Sequence, residues 1–151
     1  MGISEAIKQQ KFKSQMSKAI INIMYTNGWL NQQEGEVFRT YGLTIPQYNV
    51  LRILRGQFPN PATVNLLIDR MLDKSSNASR IVDKLESKGL VARKQCKQDR
   101  RAVDVIISEE GLRLLQLIDK DLDVWEEQNR SLSEEECKKL NELLDKLREG
   151  A

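Results

Sequence analysis

Residues 63–108 read TVNLLIDRMLDKSSNASRIVDKLESKGLVARKQCKQDRRAVDVIIS, and the fold follows from how this stretch is parsed. Thr63 is placed to cap a short helix running to Met71, with Val64, Leu67, Ile68 and Met71 turned inward at helical spacing. A tight connection over residues 72–74 leads to a second helix, capped by Ser75 or Asp73. Ala78, Ile81, Val82 and Leu85 form its buried stripe, and Gly89 closes it, because a helix end often needs a left-handed residue. Its outer face carries Ser76, Asn77, Ser79, Arg80, Lys84 and Lys88. Two short helices joined by a tight turn, the second polar and basic outside, make a helix-turn-helix.

Beyond Gly89 the chain runs through residues 90–94, a polar stretch, and then Val103-Asp104-Val105-Ile106-Ile107. Val103, Val105 and Ile107 alternate onto one face, the period of a strand, so the two arms predict a β-hairpin. Its loop, KQCKQDRR at 94–101, is unusually basic for a turn and projects from the helix pair as a wing. Upstream, Phe12, Met16, Ala19 and Ile23 lie on one face of a helix that Asn27-Gly28 is expected to interrupt; a further piece over 29–41 ends at Gly42. Thr44-Ile45-Pro46-Gln47 has the form of a capping box with an early proline, followed by Tyr48, Leu51 and Leu54 or Arg55. Phe58-Pro59-Asn60-Pro61 ends that helix, since each proline disfavours helix in the residue before it. Downstream, Ser108 caps a helix carrying Leu115, Ile118, Leu122 and Trp125. Ser133 and Glu136 open a last one carrying Cys137, Leu140, Leu144 and Leu147. These two narrow apolar seams, with residues 1–26 as a third, call for partners.

The whole is mainly α with a small β-hairpin, read as a single domain over 1–151. At 151 residues, 40% apolar and 30% charged with 5% aromatic, the composition suits a helix-rich globular chain. No apolar run nears the roughly 18 residues of a spanning helix, and MGISEAIKQQKFK has no hydrophobic block. The expectation is a cytoplasmic protein without membrane contact. Two cysteines are too few for a disulfide framework, and no histidine is present, so neither a metal site nor an imidazole base is expected. The scattered glycines build no phosphate loop. An enzyme, or a bound cofactor, is therefore disfavoured. Cys96 falls in the wing beside Lys97 and Arg100, where a thiolate would be favoured, while Cys137 on its seam reads as a small core residue.

Charge is distributed unevenly. Residues 74–101 hold 9 basic and 3 acidic side chains, net +6, whereas 102–151 hold 7 and 14, net −7. A positive field concentrated in 28 residues suits a polyanion, although a solvated charged helix would look similar by count alone.

The order of terminal helix, helix-turn-helix, basic DRR wing, SEEG turn and C-terminal helices resembles the MarR family of bacterial transcription regulators. The likeness is densest over Leu43 to Leu112, in NPATVNLLIDRML, SSNASRIVDKLESKGLVAR and QDRRAVDVIIS. It implies a winged helix-turn-helix lobe over 43–112 and a helical dimerisation region over 1–42 and 113–151. It further implies a homodimer on double-stranded DNA, probed through a pseudo-palindrome. Ser75, Ser76, Asn77, Ser79 and Arg80 would then enter the major groove, and Arg101 the minor groove with Asp99 orienting it. Thr63, Lys84, Lys94, Lys97 and Arg100 would add affinity through phosphates. Phe12, Met16, Ile23, Leu115, Ile118, Leu122, Trp125, Leu140, Leu144 and Leu147 would make the dimer interface. In that family a small aromatic effector can sit between the dimerisation helices and the DNA lobe; Trp29, Phe38, Tyr41 and Tyr48 could line such a space, but the expectation is that they are ordinary core and that no ligand is bound. The turn at Leu72-Asp73-Lys74 departs from the small or glycine residue common in the family. The function expected is a DNA-binding regulator, a repressor. The alternative is a winged-helix or coiled-coil adaptor that binds protein and not DNA.

Overall fold

Helix starts in this chain are set by short polar side chains that take up backbone N–H groups which the helix itself leaves unpaired. The computed structural model describes residues 1–95 and 102–150. Its elements are α1 (Ile3–Ala6), α2 (Gln15–Thr40), α3 (Ile45–Gln57), β1 (Ala62–Thr63), α4 (Val64–Arg70), α5 (Ala78–Ser87), β2 (Val91–Gln95), β3 (Val103–Ile107), α6 (Glu109–Gln128) and α7 (Glu134–Glu149). The Thr44 oxygen accepts from Gln47 N–H, and Gln47 Oε1 accepts from Thr44 N–H at 3.1 Å, closing the expected box. Ser133 and Glu136 do the same at α7. Thr63 caps α4.

Two compact units result, Met1–Ile118 and Asp119–Ala151, divided within α6. In the first, α3 packs against α2, α4, α5 and β3. Val50, Leu51 and Leu54 of α3, Leu67 of α4, Val82 and Leu85 of α5, Val105 of β3, and Leu115 and Ile118 of α6 are fully buried there. The sheet is antiparallel in the order β1-β3-β2, with Ala62 opposite Val105 on one side and Arg93 opposite Val105 on the other. At two residues, β1 is too short for a period to reveal, so the sequence reading gave a hairpin where the structure has three strands.

Several expectations need correction. Asn27-Gly28 does not break the N-terminal helix: α2 runs unbroken through it for 26 residues. A helical glycine costs only about 1 kcal/mol, which long flanking helix can absorb. Phe12 precedes that helix, which Ser14 caps, and lies 5.3 Å from Lys18 Nζ. The second helix of the pair, α5, begins at Ala78, with Asn77 as its cap in place of Ser75 or Asp73. Ile68 is 44% exposed and does not join the inward stripe of α4, and Val103 is exposed at the outer end of the hairpin. Cys137 is half-buried on a helix with no buried residue, so it is not core. Among the described residues, no helix is long and apolar enough to cross a membrane.

Packing requires glycine at 111, and backbone conformation favours it at 89. A Cβ at Gly111 would stand 2.5 Å from the Leu90 carbonyl oxygen and 2.7 Å from Ile107. Ser108 completes this joint: its hydroxyl donates to Gly89 O at 2.7 Å and accepts from Gly111 N–H at 3.0 Å. Gly89 adopts φ +74°. The hairpin is thereby fixed at both ends, to the end of α5 and to the start of α6.

Candidate nucleic-acid interface

The connection from α4 to α5 carries the polar residues singled out in the sequence, and its own hydrogen bonds decide which of them remain free to act. Asp73 Oδ1 accepts from both the N–H (2.9 Å) and the hydroxyl (2.6 Å) of Ser75, and its Oδ2 accepts from the Ser76 hydroxyl at 3.1 Å. The Ser75 hydroxyl foremost, then its N–H and the Ser76 hydroxyl, hold the Asp73 carboxyl below its ordinary range. Asp73, the most cap-like residue by type, is thus spent on shaping the turn. Asn77 is left to cap α5, its Oδ1 accepting from Arg80 N–H at 3.1 Å.

Two further contacts fix this turn to the body. Asn49, a buried polar residue of α3, accepts at Oδ1 from Leu72 N–H at 2.9 Å. Lys74 Nζ donates to the carbonyls of Ile68 (3.1 Å) and Asp69, satisfying the C-terminal end of α4. Lys74 therefore serves the fold. Lys88, read from the sequence as part of the outer face of α5, donates to Gly42 O.

α5 exposes Ser79, Arg80 and Lys84 to solvent, with the acidic Asp83 and Glu86 beside them. Arg80 and Lys84 join Ser76 and Asn77 in an open groove whose other wall is the start of α3, at Thr44, Pro46 and Gln47. On the far side Arg80, Asp83, Lys84 and Ser87 line a second depression. Thr63 is half-buried, its oxygen engaged by Leu66 N–H at 3.2 Å, so it contributes to the helix start first. Lys94 is exposed on β2. Lys97, Asp99, Arg100 and Arg101, with Cys96, lie outside the described residues. The groove thus brings together Ser76, Asn77, Arg80 and Lys84, with Ser75 and Ser79 on the adjoining turn and helix.

Sequence reasoning missed the α3 wall of the groove, and it missed Asp83, Glu86 and Arg93. Arg93 Nη2 donates to Asp83 and, at 3.2 Å, to the carbonyl of Ser79, while Arg93 N–H donates to Glu86 Oε2 at 3.2 Å. The only signal was the i, i+3 spacing of Asp83 and Glu86, which places both on one helix face.

The residues expected at a subunit interface separate into two groups. Leu115 and Ile118 are fully buried within the chain itself and have no surface to give a partner, which corrects their assignment. Met16, Ile23, Leu140 and Leu147 are exposed, while Phe12, Leu122, Trp125 and Leu144 are half-buried. Phe38 is buried and stacks on Tyr48, with centroids 4.2 Å apart and rings 16° from parallel. This pair fills the packing of α2 on α3.

The model of the MarR family matches residues 43–103. HTH-type transcriptional regulator MhqR of Bacillus subtilis is 31% identical over 119 residues, 78% of this chain and 81% of that protein. A MarR transcription factor from Planctomyces limnophilus superposes with TM-score 0.69 at 27% identity, covering 93% of this chain and all of the other. A mutant MarR from E. coli, in complex with operator DNA, superposes with TM-score 0.76 at 22% identity over 91% of this chain and 99% of its own.

Proposed function

This chain belongs to the MarR family, and on that premise we propose that it is a transcription regulator, a repressor, that binds double-stranded DNA as a homodimer. The observation that carries the reading is the outer face of α5. It is a capped ten-residue helix with Arg80 and Lys84 free in solvent, bordering a groove whose second wall is the start of α3. Seated in the major groove, such a helix offers Ser79 and Arg80 to base edges and Lys84 to a phosphate. Residues 96–101, which carry Lys97, Arg100 and Arg101, follow β2 in the chain. In the proposal they enter the neighbouring minor groove, where a narrow groove concentrates negative potential around arginine.

The exposed apolar side chains of α2, Met16, Ile20, Ile23 and Met24, support dimerisation, since a stripe of that size seldom faces water on a monomer. A two-fold dimer requires a pseudo-palindromic site with half-sites about 34 Å apart, one helical turn of DNA. Repression then needs nothing beyond occupancy of the site. Control by an effector would act on the balance between binding-competent and incompetent dimers, and small aromatic compounds are the class to screen.

Selection from a pool of random duplex DNA tests the proposal. Enrichment of an inverted repeat with that spacing is the expected result. Recovery of unenriched sequence at every salt concentration would overturn it.

A further inference from the structure

The face of α5 proposed to meet DNA contains a carboxylate, Asp83, beside Arg80 and Lys84. Left alone, a negative charge there would oppose phosphates. It is not left alone. Arg93 reaches over from β2, and its Nη2 donates to Asp83 and to the Ser79 carbonyl. A second carboxylate one turn further along α5, Glu86, accepts the backbone N–H of Arg93. β2 is an edge strand of the sheet, so this N–H would otherwise be an open ladder position. Three contacts from one residue therefore join the wing strand to the recognition helix, and one of them ends on the backbone of Ser79, a residue placed at the bases.

We propose that Arg93 is a positioning residue of the DNA interface, clamping β2 onto α5 through Asp83, Glu86 and the Ser79 carbonyl so that wing and recognition helix hold one fixed mutual angle. The inference rests on the DNA-binding reading above. β2 runs from Arg93 only two residues further to Gln95, where the described chain ends before residues 96–101. The setting of Arg93 thus governs the angle that β2 makes with α5. The clamp also pairs the Asp83 carboxylate with a cation. A lysine could supply the charge but not the fork that spans a carboxylate and a carbonyl together.

A side chain that only touches phosphate and one that sets an angle behave differently when altered. The probes are a duplex selected by the wild-type protein from a random pool and an unselected duplex of equal length. Arg93→Met, Arg93→Lys and Asp83→Asn are each expected to lose preference for the selected duplex by roughly tenfold, and Arg93→Lys, which keeps the charge, should leave affinity for the unselected one little changed. The double variant, Arg93→Met with Asp83→Asn, should lose no more than either alone, as groups acting through one contact do. Melting temperatures should stay close to wild type, because the pair is partly exposed, Asp83 at 62% and Arg93 at 30%. The proposal is overturned if Asp83→Asn tightens both duplexes equally while Arg93→Met weakens both and lowers the salt slope by about one, the signature of a plain phosphate contact. If Arg93→Met fails to fold, Asp83→Asn decides alone: a lost preference supports the clamp and uniformly tighter binding refutes it. A wild-type protein that enriches no sequence removes the DNA reading, and this inference with it.

Discussion

At the residue scale, the least forgiving position is Gly111. The atom its missing Cβ would strike is a backbone oxygen, Leu90 O, which cannot move without shifting the base of the hairpin. Gly111→Ala is expected to destabilise by about 1–3 kcal/mol, the usual cost of overpacking, measured by chemical denaturation. An unchanged midpoint would mean that the joint between hairpin and α6 is slack. Asp73 makes a second prediction, with its sign fixed by linkage. Its carboxyl is held below its ordinary value of 3.8 in the folded chain. Its contribution is therefore complete above that value and is lost as pH falls through the lower folded one. Asp73→Asn should lower the melting temperature at neutral pH and flatten its acid limb, the two proteins converging once the pH is well below about 4. The cap residues Thr44, Thr63 and Ser133 were legible in the sequence because each acts within three positions of itself. Asn77 was not, because Asp73, Ser75, Ser76 and Asn77 are all capable caps, and only the hydrogen bonds between the first three remove them.

At the scale of elements, the helix-turn-helix and the two hairpin arms could be read from periodicity and glycine placement, since those signals are local. The continuity of α2 could not, because a weak local breaker is outvoted by the helix on either side. Nor could β1, whose two residues become a strand only by pairing with Val105 and Asp104, some forty positions away. The clamp from Arg93 to Asp83 and Ser79 belongs to the same class of long-range fact. The late start of α5 changes how the candidate contacts divide. Ser75 and Ser76 belong to a turn held by Asp73, Asn77 is occupied as a cap, and Ser79, Arg80 and Lys84 are among the helix's exposed groups. Arg80→Ala should weaken duplex binding and reduce the dependence of log affinity on log salt by about one or less. Titrations at several salt concentrations would measure both, and an unchanged slope and affinity would take Arg80 out of the interface.

At the scale of the molecule, the family was legible while the apportioning of apolar surface was not. Helical spacing marks a seam but does not say whether the chain's own core or a second subunit fills it. Leu115 and Ile118 went to the core of the first unit, and Met16, Ile20 and Ile23 remained in water. A chain with +6 on residues 74–101 and an exposed apolar stripe on α2 is built, in the proposed reading, to bind a duplex in pairs. The most direct test is the buoyant mass of the complex at sedimentation equilibrium, on the duplex recovered by selection. Two protomers on each duplex, reduced toward free species when the inverted repeat is scrambled, is the outcome this account requires. One protomer per duplex, or a mass indifferent to the sequence offered, would contradict it.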